Sequence, residues 1–374
     1  MTRRLKVGVV GAGLIAQVMH LNYLRELSDE FEIAALCDIS DANASNNAAR
    51  YGIPATFSDW REMLKEPIDA VFILTSGSHA PIAIEAAKAG KHVLVEKPMC
   101  FSVAEGLEMQ EAAREAGTTL MVAYPKRYDP AFARFRELAV ATENPSLMRV
   151  TTFESPFLPY VRHYSLAPVS PIPADAIATW KAETHASITR AIGDADPFLR
   201  QSYHAVLLDT LVHELNTIRG VLGEPTSLEY VDLNAGGLTV IFKFGELTVS
   251  INWLDLQSGF TRYEMEFAIY GPDARVTLSF PSPFLRSAPA TVELVDGEAG
   301  TAASRAVTEI VSYESAFKLE LKAFHSHVVN GTEPVTSAED ALHDLALCEA
   351  IIRFLQTREP IENPSAIDAS VLVH

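Results

Sequence analysis

Lys97 stands in the run Glu96-Lys97-Pro98, and Asp209, His213 and Asn216 stand at i, i+4 and i+7. On a helix those three positions share one stripe. A carboxylate one turn from an imidazole can orient it and raise its pKa. A lysine that is buried, or set beside a cationic ring, loses part of its preference for the ammonium form and can exchange a proton near neutrality. Each feature taken alone has a plainer explanation. Glu96-Lys97-Pro98 reads as a surface Lys-Pro turn, and the stripe reads as a solvated helix face. His204 lies five residues before Asp209 and off the stripe, so this segment supplies too few ligands for a metal, and none is expected.

A second set of residues could hold a cofactor. Lys6 to Val10 is a short apolar run that leads into Gly11-Ala12-Gly13-Leu14-Ile15-Ala16, and Leu14, Val18, Leu21 and Leu24 then recur at helical spacing. The order is strand, tight turn, helix. Gly11 permits the turn, Gly13 lets a pyrophosphate approach the backbone, and Ala16 lets the helix pack closely on the strand. The free N–H groups at the helix start, with Leu14 and Ile15 in its first turn, face the phosphates. A second apolar strand, Ile33 to Cys37, ends in Asp38, 22 residues after Ala16, where an acid accepts hydrogen bonds from the adenosine ribose. Asp38 is followed by Ile39, Ser40, Asp41 and Ala42, with no base to receive a 2′-phosphate, so NAD is expected rather than NADP.

The elements that must position these groups can be followed along the chain. Up to Tyr124, strands and helices alternate. Ser40 to Tyr51 reads as a polar helix, Ala55 to Phe57 as a short strand, and Ser58 as the cap of a helix containing Trp60, Met63 and Leu64. Ile68 to Leu74 is a strongly apolar strand, as a parallel strand covered on both faces should be, and the small-residue loop Thr75 to His79 follows it. A helix from Ala80 closes at Gly90, a strand spans Lys91 to Lys97, Ser102 and Glu105 form a capping box, and Thr119 to Ala123 is the last strand of this half. Such alternation implies a doubly wound parallel sheet.

Beyond residue 124 a helix over Ala131 to Ala139 leads to a strand, Met148 to Phe153. The stretch from Ser155 to Arg200, rich in proline, is too long for an ordinary connection and reads as a lid or binding loop. It carries Tyr160 and Trp180, whose rings suit the C–H face of a sugar. Tyr203 to Leu222 reads as one helix, with Leu207, Leu211, Leu215 and Ile218 on its apolar side. Strands follow at Thr239 to Phe244, Leu247 to Trp253, Tyr263 to Tyr270 and Arg275 to Phe280, and period-two alternation implies an antiparallel sheet. Helices over Glu314 to Val329 and Ser337 to Gln356 close the chain. The strand Leu238 to Phe244 is apolar on both faces, so a homodimer or homotetramer is expected.

Bulk properties narrow the function classes. The 374 residues are 48% hydrophobic and 21% charged, enough for a large core in two domains. Thirty basic against 48 acidic residues give a net charge of −18, which disfavours nucleic acid and anionic membrane as partners. Cys37, Cys100 and Cys348 are few and scattered, which favours a reducing compartment. The N-terminal Met-Thr-Arg-Arg-Leu-Lys runs straight into the first strand without an apolar leader, and a cytoplasmic location is expected.

The chain resembles the glucose–fructose oxidoreductase, inositol dehydrogenase and rhizopine-catabolism (Gfo/Idh/MocA) family of NAD(P)-dependent oxidoreductases. The resemblance rests on Gly11 to Ala16, Gly90 to Pro98, Lys126-Arg127-Tyr128-Asp129-Pro130, and Asp209 and His213 followed by Leu222-Gly223-Glu224-Pro225. It implies an N-terminal Rossmann domain over 1–124 and a C-terminal α+β domain over 125–374 with a large, mostly antiparallel open sheet, its last helices packing back on the first domain. It implies that Lys97, Asp209 and His213 are catalytic. Cofactor contacts then fall to Gly11, Gly13, Leu14, Ile15, Asp38, Thr75, His79, Glu96 and Lys97, and substrate contacts to Lys97, Lys126, Arg127, Tyr160, Trp180, Asp209 and His213. The expected reaction moves a hydride between a sugar, cyclitol or glycoside hydroxyl and NAD, with His213, oriented by Asp209, taking the hydroxyl proton. The alternatives are a transient-oxidation lyase or glycosidase using bound NAD, and a non-catalytic dinucleotide-binding regulator. The sequence departs from the family pattern in a shortened Thr75 to His79 loop, in Pro125 where many relatives carry Asn, and in the long Ser155 to Arg200 segment.

Overall fold

A computed structural model describes residues 3–168, 172, 174–256, 262–297, 300 and 302–367. Its first sheet is built from β1 (Leu5–Val10), β2 (Phe31–Cys37), β3 (Ala55–Phe57), β4 (Ala70–Ile73), β5 (His92–Glu96) and β6 (Leu120–Ala123). All pairings are parallel, in the order β3-β2-β1-β4-β5-β6. The chain therefore reverses direction of growth between β1 and β4, and ligands of such sheets bind in the crevice outside that switch point. β4 is buried at every residue, as a strand covered on both faces requires.

The second sheet holds β7 (Leu147–Glu154), β8 (Ser227–Asn234), β9 (Gly237–Phe244), β10 (Leu247–Asp255), β11 (Glu264–Tyr270), β12 (Ala274–Phe280), β13 (Thr291–Gly297), β14 (Ser304–Glu309) and β15 (Ile361–Glu362). The order is β14-β13-β12-β11-β7-β10-β9-β8-β15. Among the described residues only the β7–β10 pair is parallel, because the long excursion between β7 and the next strands returns the chain alongside β7 in the same sense. The alternation expected for β10 is present: Leu247, Val249 and Ile251 are buried, while Thr248, Ser250 and Asn252 on the other face are half-buried. Strands β8, β13, β14 and β15 had no counterpart in the sequence reading. β14 is exposed along most of its length and β15 is two residues long, so neither shows a strong period-two signal.

Several local expectations change. Asp59, not Ser58, caps the helix Trp60–Met63, its Oδ1 accepting from Arg61 N at 2.9 Å. Ser102 caps Val103–Ala116 as expected, but the Glu105 carboxylate accepts from Phe101 N rather than closing the box on Ser102. The proline-rich stretch is not one loop. It contains the helices Leu158–Val161, Ala174–Ile192 and Pro197–Ser202, because the prolines cluster outside the middle helix. The expected helix over 203–222 is continuous but changes pitch, π-helical over Tyr203–Leu211 and α-helical over Val212–Leu222.

The two last helices return to the first domain. In Ala316–Asn330, Leu321, Phe324 and Val328 join the core that holds Val7, Val9 and Phe31. Phe324 stands edge-on to Phe72 with ring centroids 5.2 Å apart. Thr336 O accepts from Val122 N at 2.8 Å beside β6, just before the helix Ala338–Thr357. That helix packs against Val103–Ala116 and Val212–Leu222, and so ties the two sheets to each other. No helix among the described residues is long and apolar enough to cross a membrane.

Candidate active site

The turn after β1 fits a dinucleotide. Gly11 has φ +99°, and a Cβ there would stand 2.8 Å from the carbonyl of Leu74, so no other residue is accommodated. A Cβ on Gly13 would meet nothing within 4 Å, which leaves open space above the turn for a phosphate. Leu14 and Ile15 begin the helix and are half-buried. Asp38 reaches across from the end of β2, with Oδ2 accepting from Ala12 N and Oδ1 from Ser40 N, both at 2.8 Å. Its carboxylate is thereby fixed beside the turn, and each oxygen retains a lone pair for a ribose hydroxyl.

The loop after β4 faces the same crevice. His79 does not reach into it. The ring is 1% exposed and lies between Thr75 O and Pro98 O, each 2.8 Å from a ring nitrogen. Burial holds its pKa below the ordinary imidazole value. His79 thus clasps the β4 loop to the turn after β5 and supports the crevice from behind. Gly77, at φ +101°, carries the indole of Trp180: a Cβ there would be 2.6 Å from Trp180 Nε1. Trp180 therefore comes from the helix Ala174–Ile192 to cover the β4 loop. Glu105 fastens that helix, accepting from Ser187 Oγ at 2.6 Å and from Ser78 Oγ at 3.2 Å.

Lys97 leaves the C-terminal end of β5. Glu96 beneath it is not open to the crevice: it accepts from Lys97 N at 3.1 Å and lies 2.8 Å from His20 Nε2. Burial opposes its charge, but the His20 hydrogen bond and the nearby Lys97 outweigh burial and hold its pKa below the usual carboxylate range. Lys97 Nζ donates to Asp209 O at 2.6 Å and to Asp209 Oδ1 at 3.0 Å. An ammonium has three donors, so one is left for a ligand.

The arrangement of Asp209 and His213 differs from the expectation. Asp209 pairs with Lys97, and its side chain is 68% exposed. It neither orients His213 nor raises its pKa. Burial pushes the His213 pKa well below the ordinary value, and Lys126 and Lys97 add to that effect. The Lys97 ammonium accounts for the difference, since it holds the Asp209 carboxylate at 3.0 Å and away from the imidazole. His213 is therefore a neutral imidazole beside an ammonium, with Nδ1 buried and without a hydrogen-bond partner among the described residues. Asn216 belongs elsewhere, donating to Asp340 and Asp344 at 2.8 Å each.

Lys126 and Arg127 follow β6, the strand beside β5, but they part company. Arg127 donates to Asn216 O and Oδ1 and packs over Phe132, a structural position away from Lys97. Lys126 is 9% exposed and faces the cluster. Burial lowers its pKa to about 8, against the pull of Glu214 and Glu154. Tyr160 is anchored by its hydroxyl, which accepts from Tyr263 N at 2.9 Å.

Three residues of this cluster were missed. Glu214 is fully buried and accepts from Thr152 Oγ1 at 2.5 Å, while its Oε2 has no partner among the described residues. Glu154 ends β7, and burial, reinforced by Glu214, raises its pKa to about 7. Trp253 buries an indole N–H that has no partner among the described residues. The inward face of β7 could have revealed Glu154, since Met148, Val150, Thr152 and Glu154 alternate to the strand end. Glu214 gave no signal, being one more acid on a helix.

The comparisons agree with the nucleotide-binding sheet and the two-sheet fold. The Gfo/Idh/MocA family model, described as an oxidoreductase family with an NAD-binding Rossmann fold, matches residues 5–124. The chain is 24% identical to a myo-inositol 2-dehydrogenase of Thermotoga maritima over 365 residues, 96% of this chain and 98% of that one. It is 29% identical to a levoglucosan dehydrogenase of Pseudarthrobacter phenanthrenivorans over 244 residues, 63% of this chain and 57% of that one. A solved levoglucosan dehydrogenase in complex with NADH and L-sorbose superposes with a TM-score of 0.75 at 18% identity, covering 97% of this chain and 100% of that one. Residues 5–124 thus match the Gfo/Idh/MocA family of oxidoreductases, and the second sheet built onto them completes the two-sheet fold of the solved levoglucosan dehydrogenase.

Proposed function

We propose that this protein is an NAD-dependent dehydrogenase that oxidises a hydroxyl of a sugar, cyclitol or glycoside. The observation that carries the reading is the meeting of Lys97, held by Asp209, with a neutral His213, at the strand ends beside the Gly11–Gly13 turn. Gly11, Gly13, Leu14, Ile15 and Asp38 hold the dinucleotide, with Thr75 and Lys97 along its path and Glu96 and His79 supporting the backbone. When bound, NAD accepts the hydride from the carbinol carbon. Lys97 directs its remaining N–H to the hydroxyl oxygen and stabilises the charge that develops there. His213, kept neutral by burial, takes the hydroxyl proton. Asp209 fixes the Lys97 ammonium and leaves the imidazole free.

Residues 1–124 then form the nucleotide domain, and 125–374 the substrate and assembly domain. The segment 155–200 supplies part of the substrate site through Tyr160 and Trp180. A homodimer or homotetramer is supported by the outer face of the second sheet, where Ile241 is only half-buried and Leu254 is exposed within one chain. The cytoplasm suits three buried, unpaired thiols. The test is a panel of sugars, inositols and glycosides assayed with NAD+ and NADP+. Substrate-dependent accumulation of reduced nucleotide is expected, with kcat/KM favouring NAD+ by about 10-fold or more, since a 2′-phosphate would face Asp38 and Asp41. Turnover without accumulation would instead favour transient oxidation.

A further inference from the structure

His20 and Glu320 are fully buried groups that the reaction above does not use. His20 closes the π-helical segment Ala16–His20 that follows the glycine turn, and Glu320 stands on the returning helix Ala316–Asn330. Phe317 of that helix meets the His20 ring edge-on, with centroids 5.7 Å apart. Glu320 lies one helical turn beyond Phe317 and shares the face turned to His20. Among the described residues neither Glu320 carboxyl oxygen nor His20 Nδ1 has a hydrogen-bond partner. Buried polar atoms of this kind are completed by one another or by ordered water.

The neighbours narrow the choice. Burial, and after it the charge of Glu96 on β5, favours the protonated Glu320 carboxyl, which is a donor. Glu320 acts in turn on Tyr128 from the turn after β6. Thr336 Oγ1 donates to Val122 O, so the Tyr128 hydroxyl, 2.8 Å away, donates to Thr336 and has no proton to share with Glu320. The Glu96 oxygens already serve His20 Nε2 and Lys97 N. His20 commits its Nε2–H to Glu96, and the other nitrogen of a neutral imidazole is an acceptor. The donor on Glu320 and the acceptor on His20 therefore match.

We propose that Glu320 is a positioning residue for the reaction: through His20 and Glu96 it fixes the backbone of Lys97, and so makes the returning helix part of the active-site machinery. This rests on the dehydrogenase reading, in which Lys97 acts on the substrate hydroxyl. The Glu320 proton is directed at His20 Nδ1, directly or through a bridging water. The ring holds Glu96 Oε1, and Glu96 Oε2 holds the Lys97 amide from below, while Asp209 holds the ammonium from above.

The experiment compares the wild type with Glu320→Met and Glu320→Gln. It measures kcat and KM with the best substrate of the panel, NAD affinity by fluorescence titration, and thermal melting. Glu320→Met removes the donor at similar volume and should lower kcat about 10-fold, with KM and NAD affinity held within about 2-fold. Glu320→Gln offers an amide N–H instead and should bring kcat back to within about 3-fold of the wild type. Where Glu320→Met does not fold, Glu320→Asp, which draws the carboxyl back by one methylene, takes its place with the same expected loss. His20→Phe tests the route: adding Glu320→Met to it should cost no further kcat. Wild-type kcat in folded Glu320→Met, equal losses in Glu320→Met and Glu320→Gln, or multiplied losses in the double variant overturn this inference while leaving the dehydrogenase reading intact. No NADH from any sugar, inositol or glycoside overturns both.

Discussion

Lys97→Ala removes the ammonium that joins the turn after β5 to Asp209 on the facing helix. The loss of a positioned donor at the reacting oxygen should lower kcat by about 100-fold or more. NAD affinity should change little, because Gly11, Gly13 and Asp38 are untouched, and fluorescence titration of the variant checks this. As the proposed base, His213 should set the pH dependence. Its pKa is lowered by burial first, and by Lys126 and Lys97, so the base stays unprotonated below the ordinary imidazole value. The acid limb of kcat/KM should therefore fall below about 6.5, whereas an imidazole paired to a carboxylate would place it above. A pH–rate profile with the best substrate decides between them. At this scale the sequence disclosed Lys97, Asp209 and His213 as types at a spacing, but not their pairing. The spacing placed Asp209 beside His213 but could not show that the Lys97 ammonium, far off in sequence, would claim the carboxylate. Arg127 and His79 were legible as polar residues near strand ends, yet their bonds run to Asn216 and to the Thr75 and Pro98 carbonyls.

The helix Ala174–Ile192 presses on the β4 loop through Trp180, whose indole lies on Gly77. Gly77→Ala adds a Cβ 2.6 Å from the indole nitrogen at a φ of +101°. The strain should cost about 1–3 kcal/mol and lower the melting temperature. In the Gly77→Ala, Trp180→Ala pair the steric part should disappear, and the coupling between the two should show in a double-mutant cycle. Additive effects would mean that the helix does not rest on the loop. Strand β4 and the helix Ala338–Thr357 were readable because burial on both faces, or on one stripe, leaves a strong periodic signal. The helix Ala174–Ile192 was not, since most of its residues are exposed and prolines flank it.

The molecule as a whole is two sheets held together by the returning C-terminal helices. That return was expected only from the family resemblance, because no local pattern records that Phe324 will meet Phe72. The doubly wound order followed from strand–helix alternation, whereas the place of β7 between β10 and β11 depends on a long-range pairing. The outer face of the second sheet, with Ile241 half-buried and Leu254 39% exposed, is expected to meet a second copy. Sedimentation at assay concentration should return a multiple of the 40.8 kDa chain mass, and a single-chain mass would exclude assembly.

The central claim is that a carbinol hydride passes to NAD at Lys97 and His213. Incubating the enzyme with NAD+ and the best substrate of the panel, deuterated at the reacting carbon, tests it directly. The reduced nucleotide, recovered and weighed by mass spectrometry, should carry a single deuterium per molecule, and Lys97→Ala should form it about 100-fold more slowly. Reduced nucleotide without the label, or label that never leaves the sugar while product forms, would contradict the claim.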